Sequence, residues 1–372
     1  MIESVKVEFV DENSGFVLKR IKTKDGREFH NRKLAVCNSI YFCERQRLIY
    51  GKSMFNSLFQ TYHIGWDKNE SEWDYKGLKN AKKHANLNKR VFVPYKQRNK
   101  KHWEELTWKN ADLDFKRFKD ESIVPYPVPL NASLEELKNK KEELSNSLKQ
   151  NQELMFIISS KHLNLVEFPL IVKYCLKNFK FFGVCSYGIS DEIEKRNLYY
   201  LNSINASFKV GQDVALIFYF DYDRILKNHF YISGCLAFSC FAGDVFSEKA
   251  SFPFQWSKKA FDKIMNKKPA KYPLYDLKEK KFTISLPQKE WYGLDLTKNI
   301  MGQISTLEGL SGYNAVKWIN HSLQQRDLDL INELLISKRD VVRYLQNYTG
   351  FSVFWNKVKP NSMIIQKTLD LK

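Results

Sequence analysis

The first residues of the chain alternate between hydrophobic and polar with the period of two that is typical of a half-buried strand. Residues 5–10 alternate in this way, residues 11–15 have the composition of a turn, and residues 16–21 alternate again before a second turn at Asp25-Gly26. This pattern predicts an N-terminal β-meander within a β-rich part that spans residues 1–64.

From residue 131 onward, helical stretches alternate with short apolar runs. The pattern predicts helices at residues 134–148, 166–179, 191–204 and 236–242, and strands at residues 154–158, 181–185, 214–220 and 229–233. Strands that are apolar on both faces and alternate with helices are typical of parallel βα units. We therefore predict an α/β fold, as a barrel or an open doubly wound sheet, over residues 131–345, with a C-terminal tail at 346–372.

Residues 65–130 are polar, basic and rich in tryptophan, and they show little periodicity. Each proline at positions 125, 127 and 129 removes a backbone donor and restricts the residue before it. We therefore predict that residues 65–130 form a basic insertion that ends in a linker.

The chain carries 60 Lys and Arg against 42 Asp and Glu, a net charge of +18. An excess of this size favours a polyanionic partner, because Lys and Arg release the counterions condensed on phosphates. The alternative is heavy lysine usage with no such partner. Basic residues that alternate with aromatic side chains suit a nucleic acid, whose unpaired bases stack on aromatic rings. The predicted nucleic-acid-binding residues are Lys96, Arg98, Lys100, Lys101, Trp103, Trp108 and Arg117.

Several classes of protein are excluded by what the sequence lacks. No apolar stretch of ~18 residues predicts a membrane span, and the N-terminus has no secretory signal, so we expect a cytoplasmic protein without a membrane partner. The six cysteines lack zinc-binding spacing and are expected to be buried thiols. Phosphate-binding glycine loops, GxSxG and HExxH are absent. We predict no metal and no cofactor.

Acidic residues follow three of the predicted strands, and these residues are the candidates for chemistry. In parallel βα architectures, reactive groups collect at the carboxyl ends of strands. The alternative for each acid is to cap the following helix. The candidates are Asp221 and Asp223 after residues 214–220, Asp191 after residues 181–185, and Asp244, Ser247 and Glu248 in the third group.

The third group lies in a segment that resembles the tRNA-guanine transglycosylases. The run Gly243-Asp244-Val245-Phe246-Ser247-Glu248 is similar to the G-x-D-x-F-D-S-x-x-Y run of that family, which follows a strand with a glycine, here Ile232-Ser233-Gly234. Residues 311–316 are similar to the family's His-Asn-Leu helix start, and residues 15–37 resemble its N-terminal β-meander.

The resemblance implies a TIM-like (β/α)8 barrel that exchanges guanine for a 7-deazaguanine in tRNA or DNA. In the family an aspartate attacks the sugar C1′, and that position is Ser247 here. The catalytic candidates are therefore Asp244, Ser247 and Glu248, with Asp221, Asp223 and Asp191 expected to bind the base. The family's zinc-binding CxCxxC is absent between residues 255 and 300, its histidine corresponds to Tyr313, and its base-recognition loop is not recognisable.

Two other functions remain open at this stage. A serine without a neighbouring base is a poor nucleophile, so the chain is alternatively an inactive nucleic-acid-binding subunit that acts with a protein partner or as a homodimer. A less favoured alternative is a nuclease in which Asp221, Asp223 and Glu248 bind Mg²⁺.

Overall fold

A computed structural model describes ten segments of the chain: residues 1–12, 14–37, 58–64, 72–186, 189, 191–223, 225–227, 231–248, 273–282 and 312–358. For residues 72–76 and 312–318 only the backbone is described. Within these segments the chain has a mixed α/β fold that is built around parallel strands.

The N-terminal β-meander is confirmed. Strands β1 (Ile2–Val10), β2 (Val17–Thr23) and β3 (Glu28–His30) pair antiparallel in the order β1-β2-β3. Inward-facing residues of β1 such as Val5 and Val7 are buried, whereas their neighbours face solvent, as the alternation predicts.

The centre of the fold is a six-stranded parallel sheet with the strand order β4-β13-β10-β9-β8-β7. Its members are β4 (Lys33–Leu34), β7 (Ile123–Pro127), β8 (Glu153–Ser159), β9 (Phe181–Cys185), β10 (Leu216–Tyr222) and β13 (Val245–Glu248). Almost every residue of these strands is buried, which explains why the sequence shows apolar runs there and not alternation. The predicted strands at 154–158, 181–185 and 214–220 are confirmed.

A smaller antiparallel sheet lies apart from the parallel one. It has the order β11-β12-β15-β14, from β11 (Ile225–Leu226), β12 (Ile232–Ser233), β14 (Tyr275–Asp276) and β15 (Lys281–Phe282). The strand predicted at 229–233 is thus limited to its last two residues, since Tyr231 is a turn residue and residues 229–230 lie outside the described part.

Two further parallel strands extend the central sheet. β5 (Phe59–Ile64) pairs with β6 (Val91–Lys96), and β5 follows the β4 segment through backbone hydrogen bonds from Val36 N to Phe59 O (2.9 Å) and from Thr61 N to Val36 O (3.1 Å). β6 contacts β7 on its other side. The described strands do not close into a hydrogen-bonded ring.

Prolines explain why β6 and β7 lie in contact without a ladder of hydrogen bonds between them, an interruption that we call the β6–β7 gap. The amides of Val91 and Gln97 donate to β5 and its flank, and Val128 N donates to β8, so the residues that alternate with them face the β6–β7 gap. Pro94, Pro125 and Pro127 occupy such alternate positions and have no N–H to donate.

Helices cover the parallel strands. They are α1 (Glu72–Leu87), α2 (Lys100–Glu104), α3 (Trp108–Phe118), α4 (Leu134–Ser145), α5 (Glu167–Asn178), α6 (Glu192–Ala206), α7 (Gly234–Ser239), α8 (Gly312–Ile336), α9 (Val341–Leu345) and α10 (Thr349–Val358). Ser133 caps α4 and Asp191 caps α6 through side-chain oxygens. Phe351 and Phe354 of α10 are fully buried, so this helix packs one face against the core.

The predicted linker at 125–129 is wrong, because Ile123–Pro127 is a buried strand. The preceding basic residues form α1, β6, α2 and α3, which are regular parts of the α/β arrangement. The weak periodicity of this region reflects burial of its polar residues: Arg98 and Asp114 form an ion pair inside the fold.

The cysteines in the described part behave as predicted. Cys37, Cys175, Cys185, Cys235 and Cys240 are buried thiols, and Cys43 lies outside the described residues. Among the described helices, none has the length and apolar character required to cross a membrane.

Candidate active site

Ser247 is hydrogen-bonded to a histidine. Ser247 lies near the carboxyl end of β13, and its Oγ is 2.6 Å from Nε2 of His63 at the carboxyl end of β5. Thr61 Oγ1, on the same strand as His63, is also 2.6 Å from Ser247 Oγ. If the single hydroxyl proton of Ser247 is donated to His63, Thr61 must donate to Ser247. No base lies next to Ser247 in the sequence, but in the fold His63 of β5 provides one.

Asp221 lies on the other side of the imidazole. Its Oδ1 is 3.6 Å from His63 Nδ1, which is close enough for electrostatic attraction but longer than a hydrogen bond. Its Oδ2 accepts hydrogen bonds from Tyr95 OH at 2.6 Å and from Arg98 N at 3.3 Å. The side chains of Ser247, His63 and Asp221 are no more than 1% exposed.

An irregularity in β10 directs Asp221 toward this site. Phe220 pairs with Ser247 and Tyr222 with Glu248, and the register shifts between them at Asp221, whose φ is 59°. Consecutive residues of a regular strand face opposite sides. Here the Phe220 ring stacks on Tyr95 at 4.5 Å while Asp221 accepts the hydroxyl of the same tyrosine. Bulges of this kind occur beside active sites, where they redirect a side chain.

Asp244 is separated from Ser247 and Asp221. It precedes β13, and its carboxylate accepts from Lys19 Nζ (2.6 Å), Asn31 Nδ2 (2.6 Å) and Ile217 N (2.8 Å). Ile217 lies four residues before Asp221 on β10, roughly 13 Å along the strand at ~3.3 Å per residue. The Asp244 carboxylate therefore lies toward the amino end of the sheet, and we leave Asp244 out of the site.

The other predicted acids are distributed around the carboxyl edge. Glu248 is buried next to Ser247 and pairs in register with Tyr222. Asp223 is exposed. Asp191 caps α6 by accepting from Glu194 N at 2.7 Å and forms an ion pair with Lys161 at 2.7 Å. Burial raises the pKa of Asp191, but these two donors outweigh it and leave the pKa below its usual value.

The predicted nucleic-acid-binding residues divide into two groups. Lys100 and Lys101 are 67% and 75% exposed, on a helix that follows the carboxyl end of β6, and they form weak ion pairs with Glu104 and Glu105. The remaining members have structural contacts: Lys96 and Arg98 pair with Asp114, Trp103 is buried, Trp108 stacks on Tyr126, and Arg117 is half-buried. The expectation that Trp103 presents its ring to bases at the surface is wrong, because the ring is part of the core.

Sequence reasoning missed His63, Thr61 and Tyr95. All three lie on strands that are buried on both faces, where Gln60, Thr61 and His63 interrupt the apolar pattern that signals such strands. Their relation to Ser247 depends on which strands are neighbours, and the chain order of single residues does not reveal that.

Within the described segments, no group of three or more His, Cys, Asp or Glu side chains is arranged to hold a metal ion. The region between residues 255 and 300 falls largely outside those segments. A comparison with known proteins finds no family model that matches this chain and no curated protein with significant similarity to it.

Proposed function

We propose that this chain is a transglycosylase-like enzyme that exchanges a purine base in nucleic acid, with Ser247 as the nucleophile and His63 as its base. The observation that carries the proposal is the 2.6 Å separation between Ser247 Oγ and His63 Nε2. A nucleophile within hydrogen-bond reach of a base, which is in turn oriented by a third group, is the arrangement that covalent catalysis requires. Asp221, whose Oδ1 lies 3.6 Å from His63 Nδ1, takes the place of that third group through electrostatic attraction.

In the proposed first step, Ser247 Oγ attacks C1′ of the target nucleotide and His63 Nε2 takes the hydroxyl proton. The bond from C1′ to the purine nitrogen breaks, and the base leaves with the bonding electrons and gains a proton from solvent. Asp221 stabilises the imidazolium that forms. In the second step the nitrogen of the incoming base attacks C1′ and loses its proton to solvent. The bond from C1′ to Oγ breaks, and His63 returns the proton to Oγ.

The strand order supports a barrel as the framework for this site. The parallel strands follow one another in space as they do in the chain, as β4, β5, β6, β7, β8, β9, β10 and β13, and β13 pairs with β4. With the contact between β6 and β7, this order is compatible with a (β/α)8 barrel and supports it as the proposed framework. Ser247, His63 and Asp221 then share the carboxyl edge, where catalytic groups of such barrels lie.

The net charge of the chain and the location of two exposed lysines support a polynucleotide substrate. The net charge of +18 favours phosphate contacts. Lys100 and Lys101 extend into solvent from α2, directly after the carboxyl end of β6. Binding to tRNA and to duplex DNA should therefore weaken steeply with added salt, in proportion to the number of phosphates contacted.

A second candidate is an inactive nucleic-acid-binding subunit on the same fold. The observation that favours it is the burial of Ser247, His63 and Asp221, together with the second hydrogen bond from Thr61, which together would suit a purely structural network. The nuclease alternative has no support from the described residues, which contain no cluster of metal ligands.

The test is incorporation of radiolabelled guanine into tRNA and into duplex DNA by the wild-type chain and by Ser247→Ala and His63→Gln. The proposal expects exchange on one of the two substrates and a loss of at least ~10³-fold in both variants. Ser145→Ala, at an exposed serine whose hydroxyl donates to Lys141 O in its own helix, is the matched control and should retain full activity. Thermal unfolding of each variant checks that the fold is intact.

A second measurement separates the candidates. Denaturation during turnover should trap a covalent adduct of protein and nucleic acid in the wild-type chain, and none in Ser247→Ala. Exchange that persists in Ser247→Ala would overturn the role of the serine. Salt-sensitive binding without exchange or adduct on either substrate would establish the inactive subunit instead.

A further inference from the structure

A pocket of about 200 Å³ lies on the carboxyl edge of the parallel strands, the edge that also carries the candidate active site. It is lined by residues that follow four successive strands: Lys100, Trp103 and Glu104 after β6, Leu130 after β7, Ser159, Lys161 and Leu163 at the end of β8, and Asp191 and Ile193 after β9. A hydrogen bond from Leu163 N to Leu130 O (2.8 Å) joins two of these segments. We refer to it as the Trp103 pocket.

The Trp103 pocket is connected to the active site through one residue. Arg98 N donates to Asp221 Oδ2 at 3.3 Å, and the guanidinium group of Arg98 lies 5.6 Å from the centre of the Trp103 ring. Trp103 and Arg98 therefore lie between a ligand in the pocket and the carboxylate that faces His63.

The walls of the pocket favour a largely apolar ligand. Trp103, Leu130, Leu163 and Ile193 supply apolar surface, and Leu163 remains 58% exposed although it is a large aliphatic side chain. The indole Nε1–H of Trp103 is buried and has no hydrogen-bond acceptor among the described residues.

The charges around the pocket balance. Lys161 pairs with Asp191 at 2.7 Å, and Lys100 pairs with Glu104 at 3.7 Å. Two cations that are each paired with a carboxylate do not select for a free anion such as phosphate. The two ammonium groups offer donors, and the two carboxylates offer acceptors, to the polar edge of an uncharged ligand. The volume is below the ~300–1,000 Å³ that drug-sized ligands occupy, which indicates a compact molecule.

We infer that the Trp103 pocket binds a single neutral heterocycle of the purine-base class, as a site for the free base separate from the reacting Ser247. The choice of a purine rests on the proposed function, whereas the pocket, its neutral charge balance and its apolar walls do not. The pocket would hold the incoming or departing base on the same edge of the parallel strands as Ser247.

The test is equilibrium dialysis of radiolabelled guanine, and separately of 7-deazaguanine, against the full-length chain. Leu163→Glu places a carboxylate on the apolar wall and should weaken binding of both bases at least ten-fold. Leu170→Glu is the matched control, because Leu170 is 41% exposed on α5 and does not line the pocket. It should bind as the wild-type chain does. Both variants alter exposed side chains, so the fold should be retained, and thermal unfolding verifies this.

Each outcome bears on the pocket separately from the proposed function. Binding that Leu163→Glu weakens and Leu170→Glu does not would support the pocket, even if no exchange into nucleic acid is detected. Absence of binding, equal binding by both variants, or displacement of the base by inorganic phosphate would overturn the inference. If exchange were nevertheless observed, the proposed function would stand without this pocket.

Discussion

Lys19 of β2 and Asp244 form a buried ion pair, with 2.6 Å between Nζ and Oδ2, that joins the N-terminal β-meander to the start of β13. Neither side chain is more than 1% exposed, and Lys19 also donates to Ala215 O at 3.1 Å. Burial lowers the pKa of Lys19, and Asp244 opposes that effect. The pair therefore ties three segments of the fold together at the amino end of the sheet.

Asp244→Asn should lower the free energy of unfolding by about 3–5 kcal/mol, because it leaves a buried ammonium group without its counter-charge. Lys19→Met in the same chain should restore part of that loss. Urea unfolding measures both changes. The control is Glu3→Gln, which removes an exposed pair with Lys22 and should cost no more than ~1 kcal/mol. Equal losses in Asp244→Asn and Glu3→Gln would contradict this account.

Asp221→Asn should separate catalysis from folding. Asn tolerates the positive φ of 59° that Asp221 adopts, so thermal stability should change little. Without the carboxylate, the His63 imidazolium loses its stabilising charge, and base exchange should fall by roughly 10⁴-fold, as in other triads of this type. Asp221→Val, whose branched side chain is strained at that φ, should also destabilise the fold by about 1–2 kcal/mol. Full exchange activity in Asp221→Asn would exclude the proposed role.

Gly183 lies at a point of close approach between β9 and β8. A Cβ atom at this position would be 2.7 Å from Cγ1 of Ile157, its partner across the ladder. Gly183→Ala should therefore cost about 1–3 kcal/mol of unfolding free energy through overpacking. Ile157→Ala removes the opposing atoms, so the double variant should be more stable than the sum of the two single losses predicts. Strictly additive losses in chemical denaturation would show that the contact is not responsible.

Glu194 should make stability depend on pH. It is fully buried, its Oε1 accepts from Ser160 Oγ and Ser186 Oγ at 2.6 Å each, and burial raises its pKa above the usual 4.5. The folded chain then binds the proton more tightly than the unfolded chain. The contribution of Glu194 to stability is complete below pH 4.5 and is lost as the pH rises through the raised pKa.

Glu194→Gln mimics the protonated form and keeps the acceptor for both serines. Its unfolding free energy should match that of the wild-type chain below pH 4.5 and exceed it above. The gap should widen by up to about 1.4 kcal/mol per pH unit until the raised pKa is passed. Urea unfolding from pH 4 to pH 8 measures the difference, and parallel curves for the two chains would refute the prediction.

Local pattern was sufficient for much of the fold. The β-meander, the strands at 154–158 and 181–185, and the helix capped by Asp191 follow from alternation, apolar runs and capping residues that act within a few positions of each other. The strand at 123–127 could not be predicted in this way, because its prolines are more typical of a linker. They are compatible with a strand only because they face β6, with which β7 forms no ladder of hydrogen bonds.

The candidate site depends on information that is not local. Ser247 could be selected from a motif, and Asp221 from its place after a strand, but their link through His63 depends on strand neighbours that are far apart in sequence. The register shift that directs Asp221 inward leaves no recognisable pattern in residues 216–222. Asp244 was selected for the same reason as Ser247, and only its contacts with Lys19 and Asn31 distinguish the two roles.

The prolines on the facing edges of β6 and β7 also affect how the chain behaves when it is not fully folded. Strand edges with regularly spaced amide donors recruit strands from other molecules and promote aggregation. Pro94 on one edge, and Pro125 and Pro127 on the other, remove those donors before the two edges meet. The positions at which the fold dispenses with hydrogen bonds are thus the positions at which a partly folded chain is protected from self-association.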